Sequence, residues 1–310
     1  MDYFYLVLGF IVLLISGDLL VKSGVALASH FRISTLVIGV TVVSLGTSAP
    51  ELVVSVGAAM KDLPDMAIGN VVGSNISNIA LVLGLTAVII NIPVNKNSVR
   101  FDWPFMMFAS LVFYIFILDG KLAFTEGLIF ISLLIVFVLW SVRQSRLELS
   151  RINHVFSKAR YTVSLSVLLL LVSTAGLYLG ATWLVESAVS IAYRLGISER
   201  VISVTIIAFG TSVPELATSV MAAVKKQLDI SIGNIIGSNI FNIFGILGIT
   251  SLIKSIPVSM EMRYDIYWML AISVLLLLLM LPSGRALLSR WKGAVLLTAY
   301  LSYIFLVFKS

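Results

Sequence analysis

A proline-and-glutamate motif within strongly apolar sequence occurs twice, and it constrains this chain more than any other feature. Gly46-Thr47-Ser48-Ala49-Pro50-Glu51 recurs as Gly210-Thr211-Ser212-Val213-Pro214-Glu215, 164 residues later. Gly69-Asn70-x-x-Gly73-Ser74-Asn75-x-x-Asn78 recurs at the same offset as Gly233-Asn234-x-x-Gly237-Ser238-Asn239-x-x-Asn242. Ten of fourteen positions in 46–59 are identical to 210–223, and nine of twelve in 68–79 to 232–243, so the chain is an internal duplication. Leu20-Val21 with Leu184-Val185, Ile33-Ser34 with Ile197-Ser198, and Ile92-Pro93-Val94 with Ile256-Pro257-Val258 extend it. A glutamate beside a proline is expensive in a membrane span, and two repeat-related copies point to one site built from two halves.

The setting is a bilayer. Of 310 residues, 59% are hydrophobic and 12% charged, with a mean hydropathy of +1.08. Apolar stretches of about 20 residues recur from end to end, so the expected fold is an all-α polytopic membrane protein. About ten spans are predicted, near 3–28, 33–60, 66–90, 103–118, 122–141, 163–190, 197–224, 230–253, 266–282 and 291–308. The first lacks a basic leader and a cleavage site, and is expected to be retained. There is no cysteine, which excludes disulfides and thiolate chemistry. The net charge of +6 lies on short membrane-edge connections, a mark of topology and no sign of a nucleic-acid partner.

A basic connection, 142–161, divides a first five-helix repeat (1–141, motif 46–78) from a second (162–310, motif 210–242). Five is odd, so the second half enters the membrane in the opposite sense. With 142–161 inside, the inner side collects thirteen Lys and Arg and the outer side seven; Lys22 falls within the first span. This predicts both termini outside and a short cytoplasmic linker. Inverted repeats are an architecture of secondary transporters, with the site near the midplane where the repeats meet.

The motif also predicts discontinuous helices. Pro50 has no N–H, and its ring clashes with the carbonyl of Gly46, so the helix must break or kink within the bilayer. The freed carbonyls need protein, water or an ion as partner. Ser48, Glu51 and Ser55 share a helical face, as do Ser74 and Asn78. Each half thus offers a carboxylate, hydroxyls, amides and loosened carbonyls, an oxygen set suited to a hard cation such as Ca²⁺ or Na⁺. The two histidines, His30 and His154, lie at membrane edges, so an imidazole-seeking metal finds nothing here. A purely structural carboxylate, protonated or paired to a lysine, is the competing reading. Pairing within these spans is not available, since the lysine nearest Glu51 in sequence is Lys61, close to the membrane edge, whereas a proton on one glutamate in part of the cycle stays open. For Gly69, Gly73, Gly233 and Gly237, close helix packing competes with a part in breaking the helix.

These two segments resemble the α-repeats of sodium/calcium exchangers in the cation/Ca²⁺ antiporter superfamily. The resemblance covers essentially the whole chain, and the short central loop is similar to prokaryotic members. It implies an antiporter of the cell membrane that exchanges Ca²⁺ for Na⁺ by alternating access, with no enzymatic activity and no cofactor beyond the transported ions. It also implies that Glu51 and Glu215 are the shared ligands, and that Thr47, Thr211, Ser44 and Ala208 offer backbone carbonyls. By the same resemblance, Ser48, Ser212, Ser74 and Ser238 line flanking Na⁺ sites, and Asn78 and Asn242 face the centre. Some relatives, including potassium-dependent ones, have Asp where this chain has Asn242, so K⁺ co-transport is not expected. A proton-coupled antiporter of Ca²⁺ or another divalent cation is the alternative. A channel would use the same oxygens without needing a counter-ion. An intramembrane enzyme lacks a base near the repeated serines. Asp18 and Lys22, four apart in the first span, are expected to pair locally or to bias a gating motion; Glu186 is the repeat counterpart of Lys22.

Overall fold

The computed structural model describes residues 1–151, 159–196, 208–281 and 287–309. His154, Lys158, Ile197-Ser198, Arg200, Arg285 and the start of the seventh predicted span lie outside the described residues. The first half comprises α1 (Asp2–Phe31), α2 (Thr35–Thr47), α3 (Ala49–Met60), α4 (Pro64–Ile89), α5 (Ser98–Asp119) and α6 (Phe124–Arg151). The second comprises α7 (Val163–Arg194), the turn Ala208–Gly210, α8 (Val213–Val224), α9 (Leu228–Ile253), α10 (Met262–Met280) and α11 (Arg290–Lys309). Seven of these are long and apolar enough to cross a bilayer, and the α2–α3 pair makes an eighth, bent by 47°. With α8 and α11 they form ten transmembrane segments in two inverted five-segment repeats.

The local reasons are readable. Ser34 caps α2 by accepting the Val37 N–H, and Thr162 caps α7 by accepting that of Leu165. Pro50 and Pro214 sit in the first turns of α3 and α8, where a missing N–H costs nothing. The predicted break therefore falls where expected in both repeats, after Thr47 and after Gly210. The fifth helix departs from expectation by running on to Arg151, ten residues into the segment read as a connection. Residues 142–151 contain no Gly or Pro to stop it, and arginine is a good helix former whose long stem lets its charge snorkel at the membrane edge. The fourth begins early, with a π-helical turn at Ser98–Asp102.

The repeats interlock about a pseudo-twofold relation. Strand β1 (Ile92–Pro93) of the first half pairs antiparallel with β4 (Leu287–Leu288) of the second. Strand β2 (Lys121–Leu122) of the first pairs likewise with β3 (Ile256–Pro257) of the second. The two-residue ladders seal opposite ends of the bundle. Helices α4 and α9, which carry the Gly-Asn-x-x-Gly-Ser-Asn segments, are the innermost: 72% and 89% of their apolar windows are buried, against 22% for α6 and α7. The outer helices therefore turn most of their apolar surface to lipid. Around α1, small residues set the packing. A Cβ on Gly9 would lie 2.8 Å from the Gly180 carbonyl oxygen, so α1 and α7 pack backbone to backbone. Asp18 pairs with Lys22 as expected, and also with Lys225 beyond α8 at 3.1 Å, which ties α1 to the second repeat.

Gly237 allows α9 its closest approach, since an added Cβ would lie 2.3 Å from the Val40 carbonyl oxygen of α2. For Gly233 and Gly237, close packing is thus the structural outcome. Gly237→Ala is expected to cost ~1–3 kcal/mol by overpacking. Gly245→Ala, whose Cβ meets Leu134 at 3.4 Å, should be near neutral. Thermal unfolding in detergent distinguishes the two, and equal stability would contradict this packing.

Candidate ion-binding site

The bend in α2–α3 and the break before α8 bring two helix N-termini to the centre, each with its glutamate in the first turn. That placement favours negative charge, because the unpaired N–H groups of a helix start carry partial positive charge. Glu51 and Glu215 are both fully buried. They lie near enough to repel one another electrostatically. None of the ion pairs among the described residues includes either of them. The lysine-paired structural carboxylate therefore finds no support at this site.

The surrounding contacts cross from one repeat to the other. Ser48 Oγ donates to Glu215 Oε1 at 3.2 Å. Thr47 Oγ1 donates to Asn234 Oδ1 at 3.1 Å and lies 3.3 Å from Ser238 Oγ. The repeat-related pair, Thr211 and Ser74, stands 3.5 Å apart. Deeper in, Asn75 Nδ2 donates to the Asn239 carbonyl and Asn239 Nδ2 to that of Asn75, both at 3.3 Å. Asn78 Nδ2 donates to Asn239 Oδ1 at 3.2 Å, and Asn242 Nδ2 to Asn75 Oδ1 at 3.0 Å. Asn78 and Asn242 begin or lie within π-helical turns, Asn78–Leu83 and Phe241–Leu247, a distortion frequent at functional sites.

What these bonds leave over is informative. Both carboxylate oxygens of Glu51, Oε2 of Glu215, Oγ of Ser212 and the side-chain oxygens of Asn78 and Asn242 are buried without a hydrogen-bond partner. All belong to the repeated motif, and all are oxygens. A buried polar atom left unpaired is costly, so these oxygens call for a partner such as a water or a cation. Among the described residues no three His, Cys, Asp or Glu side chains cluster, so any cation held here draws on two carboxylates and neutral oxygens. That donor set fits Ca²⁺ or Na⁺.

The remaining sequence candidates divide. Ser44, Thr47, Ser48, Ser74, Ser212 and Ser238 are all buried at this junction, and Thr211 is half-buried. The Ser44 carbonyl accepts the Ser48 N–H at 2.9 Å and lies 3.2 Å from the Thr47 hydroxyl, whose single proton is contested by Asn234 Oδ1. Ala208 opens the turn before α8, where the Ser212 N–H bonds Phe209 instead. Two residue pairs lacked an assigned role in the sequence. Asn70 Nδ2 donates to the Glu51 carbonyl at 3.1 Å and to Ser55 Oγ at 2.8 Å, and Asn234 Nδ2 donates to Ser219 Oγ at 3.2 Å. The Asn75–Asn239 exchange is the other. Their signal was present, since each asparagine recurs at the 164-residue offset.

The profile of the sodium/calcium exchanger protein family matches residues 1–143 and 165–309. The chain is 31% identical over 349 residues to sodium/calcium exchanger MaX1 of Methanosarcina acetivorans, covering 99% of this chain and 98% of that one. It is 34% identical over 284 residues to inner membrane protein YrbG of Escherichia coli, covering 88% and 87%. It superposes on the sodium-calcium exchanger NCX_Mj, soaked with Na⁺ and Ca²⁺, with a TM-score of 0.82 and 34% identity, over 98% of this chain and 97% of that chain.

The asparagine exchange generates a stability prediction. Asn75→Ala and Asn239→Ala each orphan buried amide groups and should each cost ~1–3 kcal/mol. The double variant should cost close to the sum, because each side chain donates to the other's backbone carbonyl, which the partner substitution leaves in place. A double loss well below the sum in thermal unfolding would mean that the two asparagines are coupled through more than these bonds.

Proposed function

This chain belongs to the sodium/calcium exchanger protein family and is a membrane cation antiporter; from that premise we propose that it exchanges Ca²⁺ for Na⁺, with Glu51 and Glu215 as the shared ligands. The observation that carries the reading is the set of unpaired buried oxygens around two mutually repelling carboxylates that have no cationic partner among the described residues. The relative named a sodium/calcium exchanger and the solved exchanger of the same fold support the choice of ions.

The mechanism follows from charge. Two bare carboxylates in a low-dielectric interior are unfavourable, at ~2.5–3.5 kcal/mol or more for each charge at mid-bilayer. One Ca²⁺ cancels both, and so do Na⁺ ions bound in its place. Only a charge-compensated site can change its accessibility cheaply, so each crossing must carry a cation, and exchange is obligatory. Ser48 and Ser212 stand beside the carboxylates, with Ser74 and Ser238 across from the two threonines, in positions suited to Na⁺ ligands. The α1–α7 pair, packed through glycine and tied to the second repeat by Asp18 and Lys225, is the moving element we assign to gating. By the distribution of basic residues, the termini lie outside and the α6–α7 connection lies in the cytoplasm.

Radioactive Ca²⁺ uptake into Na⁺-loaded proteoliposomes tests this. Wild-type uptake should need the outward Na⁺ gradient. Glu51→Gln and Glu215→Gln should each weaken Ca²⁺ ~10- to 1000-fold, since ligand charge tunes Ca²⁺ affinity over orders of magnitude. Uptake that ignores Na⁺ and follows a pH gradient would replace Na⁺ by H⁺ as the coupling ion. At a fixed membrane potential, uptake should not require K⁺, because the counterpart of Asn78 is Asn242 and the site holds at most two formal negative charges.

A further inference from the structure

A second acidic pair, Asp102 and Glu148, lies where α5 begins and α6 ends, away from Glu51 and Glu215. Asp102 closes the π-helical turn at the start of α5 and is only 6% exposed. Its Oδ2 is buried without a hydrogen-bond partner. Glu148, on the last turns of α6, is close enough to repel it electrostatically. Neither carboxylate takes part in an ion pair among the described residues. Both line a cavity of about 30 Å³, large enough for a single water-sized occupant. Its mouth adjoins an open pocket of about 730 Å³ that shares Ser34, Asn97, Ser145 and Glu148 with it, so the cavity has a route to solvent.

Beside Leu36, Val37, Phe101 and Trp140, the lining holds further oxygen-bearing side chains. Asn97 Nδ2 donates to Glu148 Oε2 at 2.6 Å, and Gln144 Nε2 to Glu148 Oε1 at 3.2 Å. Each amide commits an N–H to the carboxylate, which leaves its carbonyl oxygen for another partner. Ser141 Oγ, which also lines the cavity, is buried and unpaired. Two repelling carboxylates, two amides and a hydroxyl, with no nitrogen base, sulfur or lysine among the described lining residues, make a hard-cation environment. A neutral water could bond to Asp102 but would bring no positive charge to the pair.

We propose that Asp102 and Glu148, with Asn97, Gln144 and Ser141, form an accessory site for a hard divalent cation, Ca²⁺ by preference, separate from the central pair. The separation is physical: Glu51 and Glu215 stand on α3 and α8, whereas this site joins the start of α5 to the end of α6. A bound cation would clamp those two helix ends together on the face where the α6–α7 connection leaves the bundle. That this face is cytoplasmic rests on the orientation proposed above; the site itself does not.

Tb³⁺ luminescence is a direct probe, because Trp140 lines the cavity and can sensitise a bound lanthanide. The purified full chain carrying Glu51→Gln and Glu215→Gln removes the central carboxylates from the measurement. In that protein, Tb³⁺ emission excited through tryptophan should appear, and Ca²⁺ should displace it where Na⁺ at equal ionic strength does not. Adding Asp102→Asn or Glu148→Gln should weaken Tb³⁺ at least ~10-fold. Trp140→Phe should weaken the emission, leaving what the neighbouring Trp103 sensitises, and should leave radioactive Ca²⁺ binding intact. Ca²⁺ should also raise the thermal unfolding temperature of the parent and not of the Asp102→Asn protein. Should Asp102→Asn fail to fold, the half-exposed Glu148 carries the test. Absence of sensitised emission, emission unchanged by both carboxamide variants, or displacement by Na⁺ as readily as by Ca²⁺ would overturn the site. Failure of Na⁺-driven transport would not, since binding is measured with the central pair already neutralised.

Discussion

Two buried carboxylates that feel each other's charge and have no cationic partner among the described residues are the constraint on which this structure turns. Like charges in a low-dielectric interior repel, and neither Glu51 nor Glu215 is relieved by an ion pair among the described residues. The fold answers only in part. It points two helix starts at the pair and supplies one serine bond to Glu215, while both oxygens of Glu51 go unpaired. Compensation has to be brought from outside the fold, by a proton or a bound cation, which is what the proposed exchange requires of this pair.

The repeats supply this arrangement twice and then join it across the middle. Thr47 with Ser238 and Thr211 with Ser74 are the same contact made in opposite directions. The Asn75–Asn239 exchange fastens the two halves beside it, and the two small ladders, β1–β4 and β2–β3, tie their ends. The symmetry is incomplete where it matters. Ser48 bonds Glu215, but its counterpart Ser212 is unpaired and makes no bond to Glu51.

Much of this was legible in the sequence because membrane physics leaves few options. A helix breaker in a span forces freed carbonyls to find partners, and an uncapped charge there demands a cation. Pro50 and Pro214 therefore located the breaks, and Glu51 and Glu215 the buried acids, before any coordinates. The 164-residue offset marked Asn70, Asn75, Asn234 and Asn239 as well, but gave no hint of their partners. Residues 142–151 misled because a run of charge reads as a solvated connection, whereas arginine stems let a helix carry its charges past the membrane edge.

The sequence by itself determined the class of fold, the number of halves, their inversion and the chemistry of the repeated donors. These depend on composition, parity and local sterics, which need no knowledge of who meets whom. Tertiary structure alone decided the partnerships: Ser48 on Glu215, Asn78 on Asn239, Asp18 on Lys225 and Asp102 near Glu148. It also decided that Gly237 is where α9 rests on α2. Each of these joins residues far apart in sequence. Their meeting is fixed by how close two backbones can approach, a property of packed surfaces that no single segment carries.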